Sequence, residues 1–285
     1  MGPGRTLIVN ADDYGLSPGV SLGIREAHRQ GIVTTTTAMM NRPGIGAELR
    51  LAARECPRLG VGVHLLLTSG RSLRPVSEVP TLVAPDGWFP KIGDWPRLYA
   101  GVKAEQLVGE WRRQVETFLS LAFPLRLSLD HLDSHHHIAY RHPGMLEALL
   151  TLAREYDVPV RYPGPPPGGN FGTAETDIGR TLGSRSWAGV RHPAGMIGSF
   201  FGGTATLDNL LKILKSLPAA PVELMCHPAR ADIDPDFAAL TSYNAPRERE
   251  REVLTDPRVR EAITSHGITL ATFAEACPAR VARRM

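Results

Sequence analysis

Paired cysteines are missing from this 285-residue chain. Its three, Cys56, Cys226 and Cys277, are far apart, odd in number and form no CxxC. That spacing argues against a disulfide framework and against a thiolate zinc site. Long apolar runs are missing too: no stretch approaches the roughly 20 residues that cross a bilayer, and the start shows no apolar signal segment. No basic stripe is present. The net charge is only +3, and the basic residues are scattered except for Arg280, Arg283 and Arg284 at the end, so nucleic acid is not an expected partner. Internal repeats and linkers of shifted composition are likewise lacking. What remains is a chain with 42% hydrophobic and 21% charged residues, ordinary for a globular protein with a sizeable core. The expectation is one cytoplasmic domain over residues 1–285.

Short apolar runs alternate with helical patterns. Strands are expected at Thr6–Asn10, Val33–Met39, Leu59–Leu66, Leu125–Leu132, Val158–Tyr162, Val222–Cys226 and Ile268–Thr272. Ser17 followed by Pro18 reads as a helix start, and Gly31 as its stop. Pro143 opens another helix, and residues 103–121 and 207–216 carry two more. Alternating strands and helices imply a largely parallel sheet, doubly wound or closed into a barrel. Residues 67–100 and 163–204 break the rhythm; loops of this length suit the covering of a site.

The densest chemical signal is LDHLDSHHHIAY, Leu129–Tyr140. Continued strand alternation would put His131, Asp133, His135 and His137 on one face, and Asp130, Ser134 and His136 on the other. Imidazoles with a carboxylate among them suit a metal ligand and the group that orients it. His64 lies in GVGVHLLL, and two adjacent carboxylates, Asp12 and Asp13, follow the apolar run Leu7–Val9. These positions fall near the C-terminal ends of different strands, which converge in parallel α/β folds. One carboxylate and two imidazoles would leave coordination positions open, as catalytic sites require. Adjacent aspartates on an extended chain point apart, so one is expected as a ligand and the other as a base for water. His227, after the run VELMC, would reach the same rim as a candidate acid. Cys226 beside it would point to the opposite face. Together these residues indicate metal-assisted hydrolysis without naming the bond.

The motifs NADDYG at 10–15, VTTTTAMMN at 33–41, GVHL at 62–65, HLDSHHH at 131–137 and ELMCHPA at 223–229 resemble the YdjC-like carbohydrate deacetylases. That family includes chitooligosaccharide deacetylase and a hopanoid-biosynthesis member. The resemblance runs in order through nearly the whole chain and is weaker across residues 67–123 and 163–220. It implies a single-domain α/β fold, a distorted (β/α) TIM-like barrel with long loops over its C-terminal face. It also implies removal of an N-acetyl group from an amino sugar, either a chitooligosaccharide or a glycolipid. By the same resemblance Asp13, His64 and His135 would bind one divalent metal ion, with Asp12 as base and His227 as acid. Magnesium is the ion the family implies; two imidazoles suit zinc, cobalt or manganese equally.

Asp133 is expected to orient a histidine, and His137 to stand beside the ligands or the substrate. Arg71, Trp88 and Arg161 are candidates for gripping hydroxyls or stacking on a sugar. A homodimer is compatible with this reading. The rivals are a metal-dependent phosphoesterase or amidohydrolase, and a sugar- or metal-binding homologue without catalysis.

Overall fold

A computed structural model describes residues 4–168, 187–235 and 237–279. Its framework is a curled sheet of parallel strands: β1 (Arg5–Tyr14), β2 (Thr35–Ala38), β3 (Gly60–Leu65), β4 (Leu129–Ser134), β5 (Met196–Ile197), β6 (Pro221–Cys226) and β7 (Ile268–Leu270). The order is β4-β3-β2-β1-β6-β5, with β7 against the first residues of β1. Helices cover the outside, so β1 is buried on both faces: Leu7, Ile8, Val9 and Ala11 are all shielded from water, as expected of a central parallel strand.

The expected strand at Val158–Tyr162 is instead an extended segment with one bridge, Leu132 to Val160. It spans the gap between β4 and β5. Leu132 N donates to Pro159 O (3.0 Å), Arg161 N to Leu132 O (3.1 Å), and Met196 N to Gly164 O (2.8 Å). Few regular ladder bonds form there, and this is where the barrel is distorted. The fold is a single-domain α/β unit with a curled half-barrel of parallel strands.

The expected helices form with small shifts at their ends. Ser17 caps Pro18–Gln30 by accepting from Val20 N at 3.1 Å. Pro143–Glu155, Ala104–Ala122 and Leu207–Lys215 follow. A helix at Ala245–Leu254, in the charged run PRERERE, was not read from the sequence. It buries Arg247 and Glu250 and supplies part of the site. No helix among the described residues is long and apolar enough to cross a membrane. The 67–100 stretch is held by short turns and an antiparallel bridge between Arg71 and Trp88; residues 169–186 of the second stretch lie outside the described residues.

Two irregularities in the ladder decide where the polar side chains point. Between Ala11 and Tyr14, β1 carries one residue more than β2, and Asp13 there takes φ 74°. A second register shift separates Leu129 from Leu132 in β4. Both act as bulges, which re-aim side chains.

Candidate active site

The first bulge corrects the expectation that alternation holds Asp12 and Asp13 on opposite faces. The left-handed turn at Asp13, a conformation Asp tolerates better than most residues, brings both carboxylates into one buried cluster. They are separated by their partners. Arg247, from the helix 245–254, donates to Asp13 Oδ2 at 2.5 Å. Arg161 grips Asp12 with two bonds, 2.8 Å to Oδ2 and 2.6 Å to Oδ1. Asn10 donates to Asp12 Oδ1 as well, at 2.8 Å.

Asp13 Oδ1 is thereby left free, and it is buried with no hydrogen-bond partner. It lies 3.4 Å from His64 Nε2 and 3.0 Å from His135 Nδ1. The two imidazole nitrogens are 3.2 Å apart. Ligand atoms about 2.1 Å from one ion stand roughly 3.0 to 3.4 Å from each other in octahedral or tetrahedral geometry. The three atoms of Asp13, His64 and His135 are therefore spaced so that they could hold one divalent ion.

Electrostatics point the same way. Asp12, Asp13, Asp133 and Glu223 are paired directly with two guanidinium groups, Arg161 and Arg247, and Arg42 adds a weaker attraction to Asp13. Burial opposes a charge on His64, yet Asp133, Asp13 and Asp12 raise its pKa to about 10. A place that favours a second proton on an imidazole also favours a cation. Burial would push Asp13 up as well, but Arg247 and His135 hold it well below the usual carboxylate range. For Asp12, Arg161 overcomes burial in the same sense.

Asp133 sits where a ligand-orienting group should. Its Oδ1 is 2.6 Å from His64 Nδ1, which fixes the ring so that Nε2 faces the site. Its Oδ2 lies 2.9 Å from Arg161.

Arg161 itself is not a hydroxyl-gripping residue. It is fully buried, and besides Asp12 and Asp133 its Nε donates to Glu223 Oε1 at 2.8 Å. One guanidinium thus ties the candidate base to the carboxylate that orients the His64 ring.

The histidine run departs from strict alternation. His136 and His137 have φ of 54° and 52°, so the strand geometry ends at Ser134. His135 turns into the site, and His136 stacks on its ring with 3.8 Å between centroids. Burial pushes His136 down to about 3; it lies 2.9 Å from the Thr68 hydroxyl. His137, expected beside the ligands or the substrate, is buried with its ring 6.0 Å from that of Tyr140. His131 stacks on Phe273 at 3.9 Å and lies 2.9 Å from Asp130, away from the ligand group. Arg71 and Trp88 are paired with each other, the guanidinium 5.7 Å over the indole.

His227 lies with Nε2 3.9 Å from Asp12 Oδ2, and burial lowers its pKa to about 4. Its backbone N–H donates to Glu250, whose other oxygen accepts from the Tyr243 hydroxyl. Burial raises Glu250 to about 7. Cys226 is buried against the Asn10 carbonyl, off the site as expected. Arg247, Glu250 and Tyr243 were not found from the sequence. The available signal was the spacing of Arg247, Glu250 and Leu254, one face of a helix whose charges look solvated.

A family model described as YdjC-like protein matches residues 6–265. The chain belongs to the YdjC-like family. It is 40% identical over 273 residues to a carbohydrate deacetylase of Brevibacillus brevis, covering 94% of this chain and 98% of that one. A carbohydrate deacetylase of Thermoanaerobacter pseudethanolicus is 33% identical over 269 residues, again with 94% and 98% covered. The fold matches a crystal structure from Enterococcus faecalis V583 of a protein proposed as a cellobiose-phosphate cleavage protein. Its TM-score is 0.81 at 33% identity, over 95% of this chain and 98% of that one.

Proposed function

We propose that this YdjC-like chain is a metal-dependent carbohydrate deacetylase that hydrolyses the N-acetyl group of an amino sugar. The observation that carries the reading is the convergence of Asp13 Oδ1, His64 Nε2 and His135 Nδ1, with an arginine-held Asp12 alongside. The names of its relatives supply the substrate class. A chitooligosaccharide and a glycolipid-linked amino sugar are the two candidate substrates.

Asp13, His64 and His135 would hold the divalent ion, which would supply Lewis acidity for the attacking water and the acetyl oxygen. Two imidazoles and one carboxylate suit zinc, cobalt or manganese better than magnesium, which prefers oxygen ligands.

The chain's own residues manage the protons. Asp12, kept ionised by Arg161, accepts a proton from the attacking water. Asp12 is a weak base, so it gives the proton up readily. His227 is neutral at pH 7, since burial holds it near 4, and its Nε2 stands close to Asp12. An imidazole that starts neutral can donate to the departing amine only after receiving a proton, and Asp12 is the nearest carrier. The water oxygen bonds the acetyl carbon and the C–N bond breaks; one water proton reaches the amine nitrogen through Asp12 and His227, and the second, given up by the acetic acid, makes the products acetate and the ammonium form of the sugar.

Acetate release from N-acetylated chitooligosaccharides and glycolipids, measured after metal reconstitution, tests the reading. Asp12→Asn is expected to bind metal normally while losing about 100-fold or more in kcat. His135→Ala is expected to lose the metal. Full activity in Asp12→Asn would remove it from the role of base.

A further inference from the structure

Next to His227 stands an aromatic pair that the chemistry above does not use. Phe201 lies face to face with Tyr243, 4.2 Å between ring centroids and 5° from parallel. His227 meets both rings edge-on, at 5.4 Å and 5.6 Å. Despite this packing Phe201 remains 43% exposed, one of few large apolar side chains to do so among the described residues.

The pair is held firmly. Tyr243 OH accepts from Gly202 N at 2.6 Å and donates to Glu250, which also accepts from the His227 backbone. Thr204 Oγ1 bonds Ser199 O and Phe201 O, both at 2.7 Å. Asn209 Nδ2 adds bonds to Ser199 O at 3.0 Å and Thr204 O at 2.9 Å. The neighbouring Phe200 is fully buried and anchors the turn. An exposed ring costs stability in water, and a rigid one, backed by a second ring and by a buried carboxylate shared with His227, is preorganised for a flat apolar ligand face.

We propose that Phe201, backed by Tyr243, is the platform on which a pyranose ring of the substrate stacks through its C–H face, on the amine side of the scissile bond. The side is fixed by His227: the group that protonates the amine must stand next to the sugar and not the acetyl. This placement rests on the deacetylase reading; the stacking of a sugar on Phe201 does not.

The geometry makes Glu250 the joint between recognition and chemistry. Its two oxygens hold the platform's hydroxyl and the backbone of His227, so a ring seated on Phe201 is in register with the imidazole.

The test has two readouts on the metal-loaded full chain. Saturation-transfer NMR and calorimetry follow binding of an N-acetylglucosamine oligomer and its deacetylated form, independently of turnover. Acetate release separates KM from kcat. Phe201→Ala should weaken sugar binding and raise KM about five- to tenfold, the worth of one aromatic face removed from contact, with kcat changed less. Phe201→Trp should restore binding to within about twofold.

An alkyl glycoside of the same sugar distinguishes a lipid aglycone from the ring itself. If Phe201→Ala weakens only the alkyl glycoside, or leaves oligomer binding unchanged, the platform is overturned. Sugar binding that depends on Phe201 without any acetate release would keep the platform and sink the deacetylase reading.

Discussion

Arg161 shows how one side chain can serve both stability and chemistry. It is fully buried, holds Asp12 with two bonds, and reaches Asp133 and Glu223. A lysine could not span these partners, because a point charge lacks the planar fork. Removing the guanidinium leaves several carboxylates in a dry site without compensation. Arg161→Met should therefore lower stability at pH 7 by about 3–5 kcal/mol, the cost of breaking a buried charge pair. Urea denaturation measures it, and a loss under 1 kcal/mol would show that the carboxylates find other partners. At this scale the motifs name residue types that the structure brings together, and say less about what each side chain touches. Asp13, His64, His135 and Asp133 fall where their motifs suggested. Arg161 is on sequence only a candidate, for the substrate or for the groups behind the ligands, because nothing in its own neighbourhood reveals carboxylates from three distant strands.

Elements place these residues through their irregular points. The bulge at Asp13 turns two adjacent carboxylates into one cluster, where regular alternation would part them. The bulge in β4 and the left-handed His136 and His137 do the same for the histidine run. Period-two reasoning cannot foresee such points, since a single extra residue reverses the faces after it.

A close approach of helix to loop matters in the same way. A Cβ on Gly23 would stand 2.4 Å from Ala229 Cα, on the loop that begins at His227. Gly23→Ala must therefore push the helix Pro18–Gln30 away from that loop. The expected cost is about 1–3 kcal/mol, with a fall in kcat as His227 shifts, while metal affinity stays unchanged. Thermal unfolding, steady-state rates and metal titration check the three parts; unaltered stability would mean that the loop yields freely.

At the scale of the whole molecule, parallel strands gather their C-terminal ends. Asp12 and Asp13 arrive on β1, His64 on β3, Asp133 on β4, and His135 and His227 just after β4 and β6. This convergence was legible from the alternation of strands and helices and from motifs at strand ends, because parallel architecture obliges those ends to meet. The contribution of the helix Ala245–Leu254 was not legible. Its sequence reads as a solvated face, and only the fold shows Arg247 against Asp13 and Glu250 beneath His227.

The proposed division of labour makes Asp13 the ligand and Asp12 the base within one divalent-metal site. The most direct test is a crystal structure of the zinc-loaded protein with diffraction recorded at the zinc absorption edge. One anomalous peak per chain is expected within coordination distance of Asp13 Oδ1, His64 Nε2 and His135 Nδ1, with Asp12 still on Arg161 and outside that distance. A peak coordinated by Asp12, or one located away from these three atoms, would contradict it.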